Sequence, residues 1–165
     1  MRRLTSALLA GMLAVGIIAA PVAAAEPQKN IAEIAIANGN FKTLVTALSC
    51  TGLVPAVSGA GSLTVFAPTD SAFGKLGLNA SNVCKLPKTL LTKILTYHVA
   101  GQELFAKDVL AASKIKMLNG LYTFPSVRNG NAYMNWYSKI VATDIDASNG
   151  VIHVIDRVLI PYRLW

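Results

Sequence analysis

The sequence predicts one α+β domain, with helices in its first half and antiparallel strands in its second. Two patterns carry this. Up to about residue 112, apolar residues recur at helical spacing between capping signals, as at Phe41, Leu44, Val45 and Leu48. From Lys114 onward the pairs Asn119-Gly120, Asn129-Gly130 and Asn149-Gly150 punctuate short strand-like runs. Asn-Gly is a strong hairpin signal because both residues tolerate the positive φ of a type I′ turn. Helices grouped ahead of strands, rather than alternating with them, favour α+β over a parallel α/β sheet.

The chain opens on Met1-Arg2-Arg3, then runs uncharged to Ala25, with an apolar stretch over 7–20, a break at Pro21 and small residues at Ala23 and Ala25. Basic start, apolar middle and small-residue end read as a secretory signal peptide cleaved after Ala25. An uncleaved anchor is the alternative, since the run is long enough to span a bilayer. The remaining 26–165 has the size of one domain with a true core.

Within it, Asn30 and Glu33 form a capping-box pair ahead of Ile31, Ile34 and Ala35. Asn38-Gly39 stops that helix, Asn40 caps the next, and Gly52 ends it. A further turn surrounds Pro55. Residues 63–66 read as a buried strand stopping at Pro68, after which Thr69 or Asp70 caps a turn holding Ala72 and Phe73. The stretch 77–86 is irregular. Pro87 suits the first turn of a helix carrying Leu90, Leu91, Ile94, Leu95 and His98, which Gly101 ends, and 108–112 forms a short helix. Strands follow over 116–118, 121–124, 131–136, 139–145 and 151–160.

Loss of the leader's two arginines leaves a net charge of +5. The charges are scattered, so no nucleic-acid-binding patch is expected. A moderately basic surface suits acidic glycans or proximity to anionic lipid headgroups. Cys50 and Cys84, an even pair in an exported chain, read as a disulfide, with two buried thiols as the alternative.

Signals for chemistry are sparse. His98 and His153 are the only histidines. A Ser71/His98 couple with an aspartate is conceivable, but no Gly-x-Ser-x-Gly elbow accompanies it. Alternation places His153 with Val151 and Ile155 on one sheet face, as a hydrogen-bonded histidine at a sheet edge or core margin. Asp144, Asp146 and Asp156 match no calcium loop, Gly59-Ala60-Gly61 lacks the rest of a phosphate loop, and neither cysteine has a ligand at metal spacing. No metal, no cofactor and no enzymatic activity are expected. Tyr122, Tyr133, Trp136 and Tyr137 cluster near Arg128 and Lys139 on a predicted hairpin. They suit either a binding surface or ordinary cross-strand packing.

Four segments, in order, resemble the fasciclin (FAS1) family: 38–44 (NGNFKTL), 63–73 (LTVFAPTDSAF), 95–99 (LTYHV) and 149–161 (NGVIHVIDRVLIP). The resemblance implies a β-wedge or sandwich packed by helices, an extracellular or cell-envelope setting, and adhesion or matrix contact rather than catalysis. It implies that Thr69, Asp70, Tyr97 and His98 form a structural motif, with His98 hydrogen-bonded to the Thr69-Asp70 segment, and that the region of Tyr97 contacts partners. The Cys50–Cys84 pair lies outside the general family pattern. The expected function is a secreted or periplasmic module that engages a cell-surface or matrix protein or glycan. Its candidate contacts are Tyr97, Arg128, Tyr133, Trp136 and Tyr137. A small-molecule or lipid carrier with a pocket between helices and sheet is the second reading, and would need a deep apolar cavity.

Overall fold

The computed structural model describes residues 28–162. The signal peptide and its cleavage after Ala25 lie outside the described residues. Helices α1 (Ile31–Ala37), α2 (Lys42–Thr51) and α3 (Val54–Ser58) come first, then strand β1 (Leu63–Pro68), α4 (Asp70–Gly74) and a 3₁₀ turn at Val83–Lys85. Helix α5 (Lys88–Thr96), β2 (Val99–Ala100) and α6 (Ala106–Ala111) lead into strands β3 (Ile115–Lys116), β4 (Tyr122–Thr123), β5 (Pro125–Arg128), β6 (Asn131–Met134), β7 (Ser138–Ala147) and β8 (Gly150–Ile155).

Six strands form one sheet in the order β2-β1-β8-β7-β6-β5, and β3 pairs with β4 separately. The sheet is antiparallel except between β1 and β8, which run parallel from Leu63↔Gly150 to Pro68↔Ile155. This long-range pairing between the two ends of the domain is what local turn signals cannot announce. Strand β8 lies in the sheet interior and is buried along its whole length. That explains its near-continuous apolar run.

The core has two parts. One packs α1, α2 and α5 on one side of the sheet through Ile31, Phe41, Leu44, Phe73, Leu91, Leu95 and Ile152. The other gathers Phe66, Tyr97, Val109, Ile115, Met134, Ile155 and Leu159. Alternation along β8 divides its side chains between them: Ile152 and Val154 enter the first, Ile155 the second.

The capping box of Asn30 and Glu33 is present, with Glu33 N–H donating to Asn30 Oδ1 at 3.0 Å and Asn30 N–H to Glu33 Oε2 at 2.8 Å. Asn40, expected to cap α2, does not. The start of α2 is capped from elsewhere: Asp70 Oδ1 accepts from Thr43 N–H at 2.7 Å, and Oδ2 from Lys42 N–H at 3.3 Å. Asp70 N–H in turn donates to Asn40 O at 2.8 Å. A carboxylate brought 27 residues along the chain thus supplies both the hydrogen bonds and the negative charge a helix N-terminus favours. Thr69 caps its own helix, accepting from Ala72 N–H at 3.2 Å.

The Cys50–Cys84 disulfide is formed, with a Cα–Cα distance of 5.9 Å, and ties the end of α2 to the 3₁₀ turn. At Asn129-Gly130 both residues have positive φ, 48° and 72°, as the hairpin signal requires. Asn149-Gly150 works differently. Ser148 and Asn149 are the two loop residues between the paired Ala147 and Gly150. Asn149 is buried and fully used: its Oδ1 accepts from Ile31 N–H at 2.9 Å, and its Nδ2 donates to Val57 O and Gly59 O at 3.0 and 2.8 Å. Gly150 is required because a Cβ there would sit 1.9 Å from Leu63 O.

Candidate functional site

Both histidines are held by backbone on two sides. His98 is 1% exposed; its Nδ1 donates to Ile94 O at 2.7 Å, and its Nε2 accepts from Leu159 N–H at 2.9 Å. Because Leu159 can only donate, Nε2 is unprotonated and the ring is the neutral Nδ1–H tautomer. The His98 carbonyl also accepts from Phe66 N–H at 2.8 Å. One residue therefore joins α5, β1 and the segment after β8. The expected bond from His98 to Thr69-Asp70 is not made. Thr69 and Asp70 are committed to the caps of α4 and α2, and the ring faces the 159 segment instead. With both ring nitrogens occupied, His98 offers no base to Ser71, which is solvent-exposed.

His153 mirrors this arrangement with the opposite tautomer. Its Nε2 donates to Leu104 O at 2.8 Å, and its Nδ1 accepts from Asp144 N–H at 3.3 Å. Asp144 lies at φ 57° where the β7–β8 register shifts, a bulge that turns its N–H onto the imidazole. The ring also stacks on Phe66 at 5.5 Å. His153 is thus fully buried on an interior strand rather than at a sheet edge. Burial lowers the pKa of both rings, against the smaller opposing pull of their carbonyl partners, and takes His98 down to about 4.

Tyr97, expected among the contact residues, is fully buried at the end of α5 and cannot touch a partner. Burial raises its phenol pKa, against the opposing hydrogen bond from Asn135. Tyr97 Oη donates to Tyr122 O at 2.8 Å and accepts from Asn135 Nδ2 at 3.0 Å. Asn135 Oδ1 accepts from Thr123 Oγ1 and from Phe124 N–H, each at 3.0 Å. Tyr97 is therefore the post on which the β6–β7 turn, residues 135–137, is mounted.

That turn presents the aromatics. Asn135 and Trp136 both have positive φ, 49° and 65°. Asn takes this conformation readily, but for a bulky residue it is an outlier that surrounding structure must hold. Trp136 is nevertheless 59% exposed, so burial of its indole does not repay the strain. It stacks on Phe124 with ring centres 5.7 Å apart and planes 12° apart. Phe124, Asn135, Trp136, Tyr137, Ile160 and Tyr162 line an open cleft of about 440 Å³. Tyr137 Oη accepts from Ile160 N–H at 2.9 Å, and Ser138 Oγ donates to Arg157 O at 2.8 Å, fixing the cleft's second wall to the turn.

Arg128, exposed at the end of β5, donates from its guanidinium to Trp136 O and lies 4.9 Å from the Tyr133 ring centre. Tyr133 is half-buried and pairs across β6–β7 with Lys139. Arg128, Tyr133, Trp136 and Tyr137 are thus brought together as expected of a surface, while Tyr97 supports them from beneath. Phe124, Asn135, Ile160 and Tyr162 were missed. Asn135 carried a signal even inside the expected run 131–136, since Asn tolerates left-handed backbone. Ile160 and Tyr162 carried none, because only the fold returns them to the hairpin.

Between helices and sheet, the internal cavity is about 20 Å³, lined by Phe41, Leu44, Leu95, His98 and Ile152 among others. That is room for about one water. Among the described residues, this space between helices and sheet is far smaller than the deep pocket a carrier needs. Among the described residues no cluster of three or more His, Cys, Asp or Glu could hold a metal, and no helix is long and apolar enough to cross a membrane.

The Fasciclin domain family model matches residues 39–161, and the chain belongs to that family. It is 40% identical over 141 residues to protein sll1483 of Synechocystis sp., covering 84% of this chain and 77% of that one. It is 32% identical over 139 residues to immunogenic protein MPB70 of Mycobacterium bovis, covering 81% and 70%. With transforming growth factor-beta-induced protein ig-h3 of Sus scrofa it shares 33% identity over 135 residues, 82% of this chain but 20% of the longer one. A solved FAS1 domain pair from the insect cell adhesion molecule Fasciclin I superposes with a TM-score of 0.68 at 19% identity. It matches 82% of this chain, which spans about half (52%) of the pair, and it establishes the FAS1 fold.

Proposed function

We propose that this protein is an exported, non-enzymatic binding module that engages a cell-surface partner through the cleft at the β6–β7 turn. The carrying observation is Trp136: a large aromatic, 59% exposed, on a backbone conformation that costs stability and that the core does not need. Strain retained at an exposed aromatic is a mark of function rather than of folding. Aromatic and arginine side chains are also the groups that concentrate binding energy at interfaces. The leader supports export, and the disulfide agrees with an oxidising compartment. Kinship with a cell adhesion molecule's domains supports a contact role.

The test is binding of the mature domain to cell-envelope fractions of the producing organism. Trp136→Ala is expected to reduce binding at least about tenfold, a hot-spot-sized loss, with no fall in melting temperature. Binding unchanged by Trp136→Ala contradicts the assignment of the cleft.

A further inference from the structure

Building on that binding role, we infer that the cleft's ligand is an acidic polysaccharide, one bearing uronate or sulfate groups along a chain of sugar rings. One long stretch of the sequence lacks acidic residues. From residue 109 to 143, which spans β3 to most of β7, there is no Asp or Glu, while Lys114, Lys116, Arg128 and Lys139 all fall there. Two of these cations stand beside aromatic rings, and a third is paired across strands with a tyrosine. Lys114 Nζ lies 4.6 Å from the Tyr122 ring centre, Arg128 lies over Tyr133, and Lys139 is the cross-strand partner of Tyr133.

The nearby carboxylates are otherwise engaged. Asp156 accepts from Lys139 N–H at 2.8 Å and pairs with Lys75 Nζ at 3.3 Å. Asp144 sits six residues along β7 from Ser138, beyond the first register shift of the β7–β8 pairing. There it accepts from Ala106 N–H at 2.7 Å. An incoming anion at the cleft thus meets Arg128, held at the Trp136 carbonyl, and charge complementarity of this kind governs encounter and partner choice.

Shape and chemistry favour a sugar chain over a membrane. The rings wall a concave cleft rather than project, and the neighbouring β5–β6 hairpin tip, Arg128-Asn129-Gly130-Asn131, is polar. A bilayer surface needs protruding apolar groups. Flat rings with polar edges, Trp136, Tyr137 and Tyr162, instead match the C–H faces and hydroxyl edges of pyranose rings. The cleft is open, so a polymer can pass through without its ends entering.

Affinity electrophoresis of the mature protein tests this, with polygalacturonate, neutral dextran and phosphatidylglycerol vesicles as separate arms. Retardation by polygalacturonate alone is expected, weakening as salt screens the charges. Trp136→Gly and Lys139→Gln should each weaken it, the first by about tenfold or more, the loss of one aromatic hot-spot contact. Lys139→Gln leaves the loop's hydrogen bonds in place, so its effect reads charge alone. Equal retardation by dextran, binding to vesicles only, or indifference to both substitutions overturns the inference. If polygalacturonate fails while envelope binding still depends on Trp136, the acidic-glycan assignment falls and the binding site stands. If envelope binding is also independent of Trp136, both fall.

Discussion

Protonating His98 would set a donor against a donor, because Nε2 already receives the Leu159 N–H. Its folded pKa of about 4 lies below the ordinary histidine value of 6.5. Above pH 6.5 the ring is neutral in folded and unfolded chains alike, and stability is complete. As pH falls from 6.5 to about 4, the unfolded chain takes up a proton that the folded chain refuses, so stability drops. The full loss is on the order of 3 kcal/mol. His153, shifted in the same direction, adds to it. Denaturant midpoints should therefore fall between pH 7 and pH 4, and His98→Gln, which keeps a donor and an acceptor but does not titrate, should flatten the slope. An unchanged slope would refute the neutral-staple role. Trp136→Gly makes the complementary case. Relief of a bulky residue at φ 65° should leave stability equal or raise it by about 1 kcal/mol, while binding is lost. Gly150→Ala should cost about 3 kcal/mol or more in chemical unfolding, because its Cβ would collide with Leu63 backbone rather than with a yielding side chain.

At the scale of elements, what was legible in sequence was what local chemistry decides. The capping box at Asn30 and Glu33, the stop at Gly52 and the type I′ turn at Asn129-Gly130 formed as their residues dictate. Strand β5 is not among the runs expected from sequence; Pro125 opens it, and it is the sheet's edge, where proline is tolerated. Tertiary contacts reassigned other signals. Asn40 lost the α2 cap to Asp70, and Asn149 became a buried three-way tie rather than a left-handed turn residue. The same limit applied to the cleft: its hairpin aromatics were readable, its second wall was not. Asp70→Ala should accordingly destabilise by about 1–2 kcal/mol through the uncapping of α2, a helix distant in sequence. Loss of amide protection confined at first to residues 42–44 would register it. Cys50→Ser with Cys84→Ser should lower stability by roughly 3 kcal/mol in the chain-entropy picture, and free-thiol titration of the unfolded wild type should find none.

The whole molecule divides labour between its two cores and its open edge. Long-range β1–β8 pairing and the two histidine staples lock the centre of the sheet. The β5–β7 end, mounted on Tyr97 through Asn135, carries the exposed aromatics and Arg128. The most direct test of this division is a hydrogen-exchange footprint of the mature domain with and without envelope extract. Protection is expected at 124, 135–137, 160 and 162, with the amides around His98 already slow and unchanged. Protection centred on the α4 and Asp70 side of the domain, with the β6–β7 turn exchanging as freely as before, would contradict it.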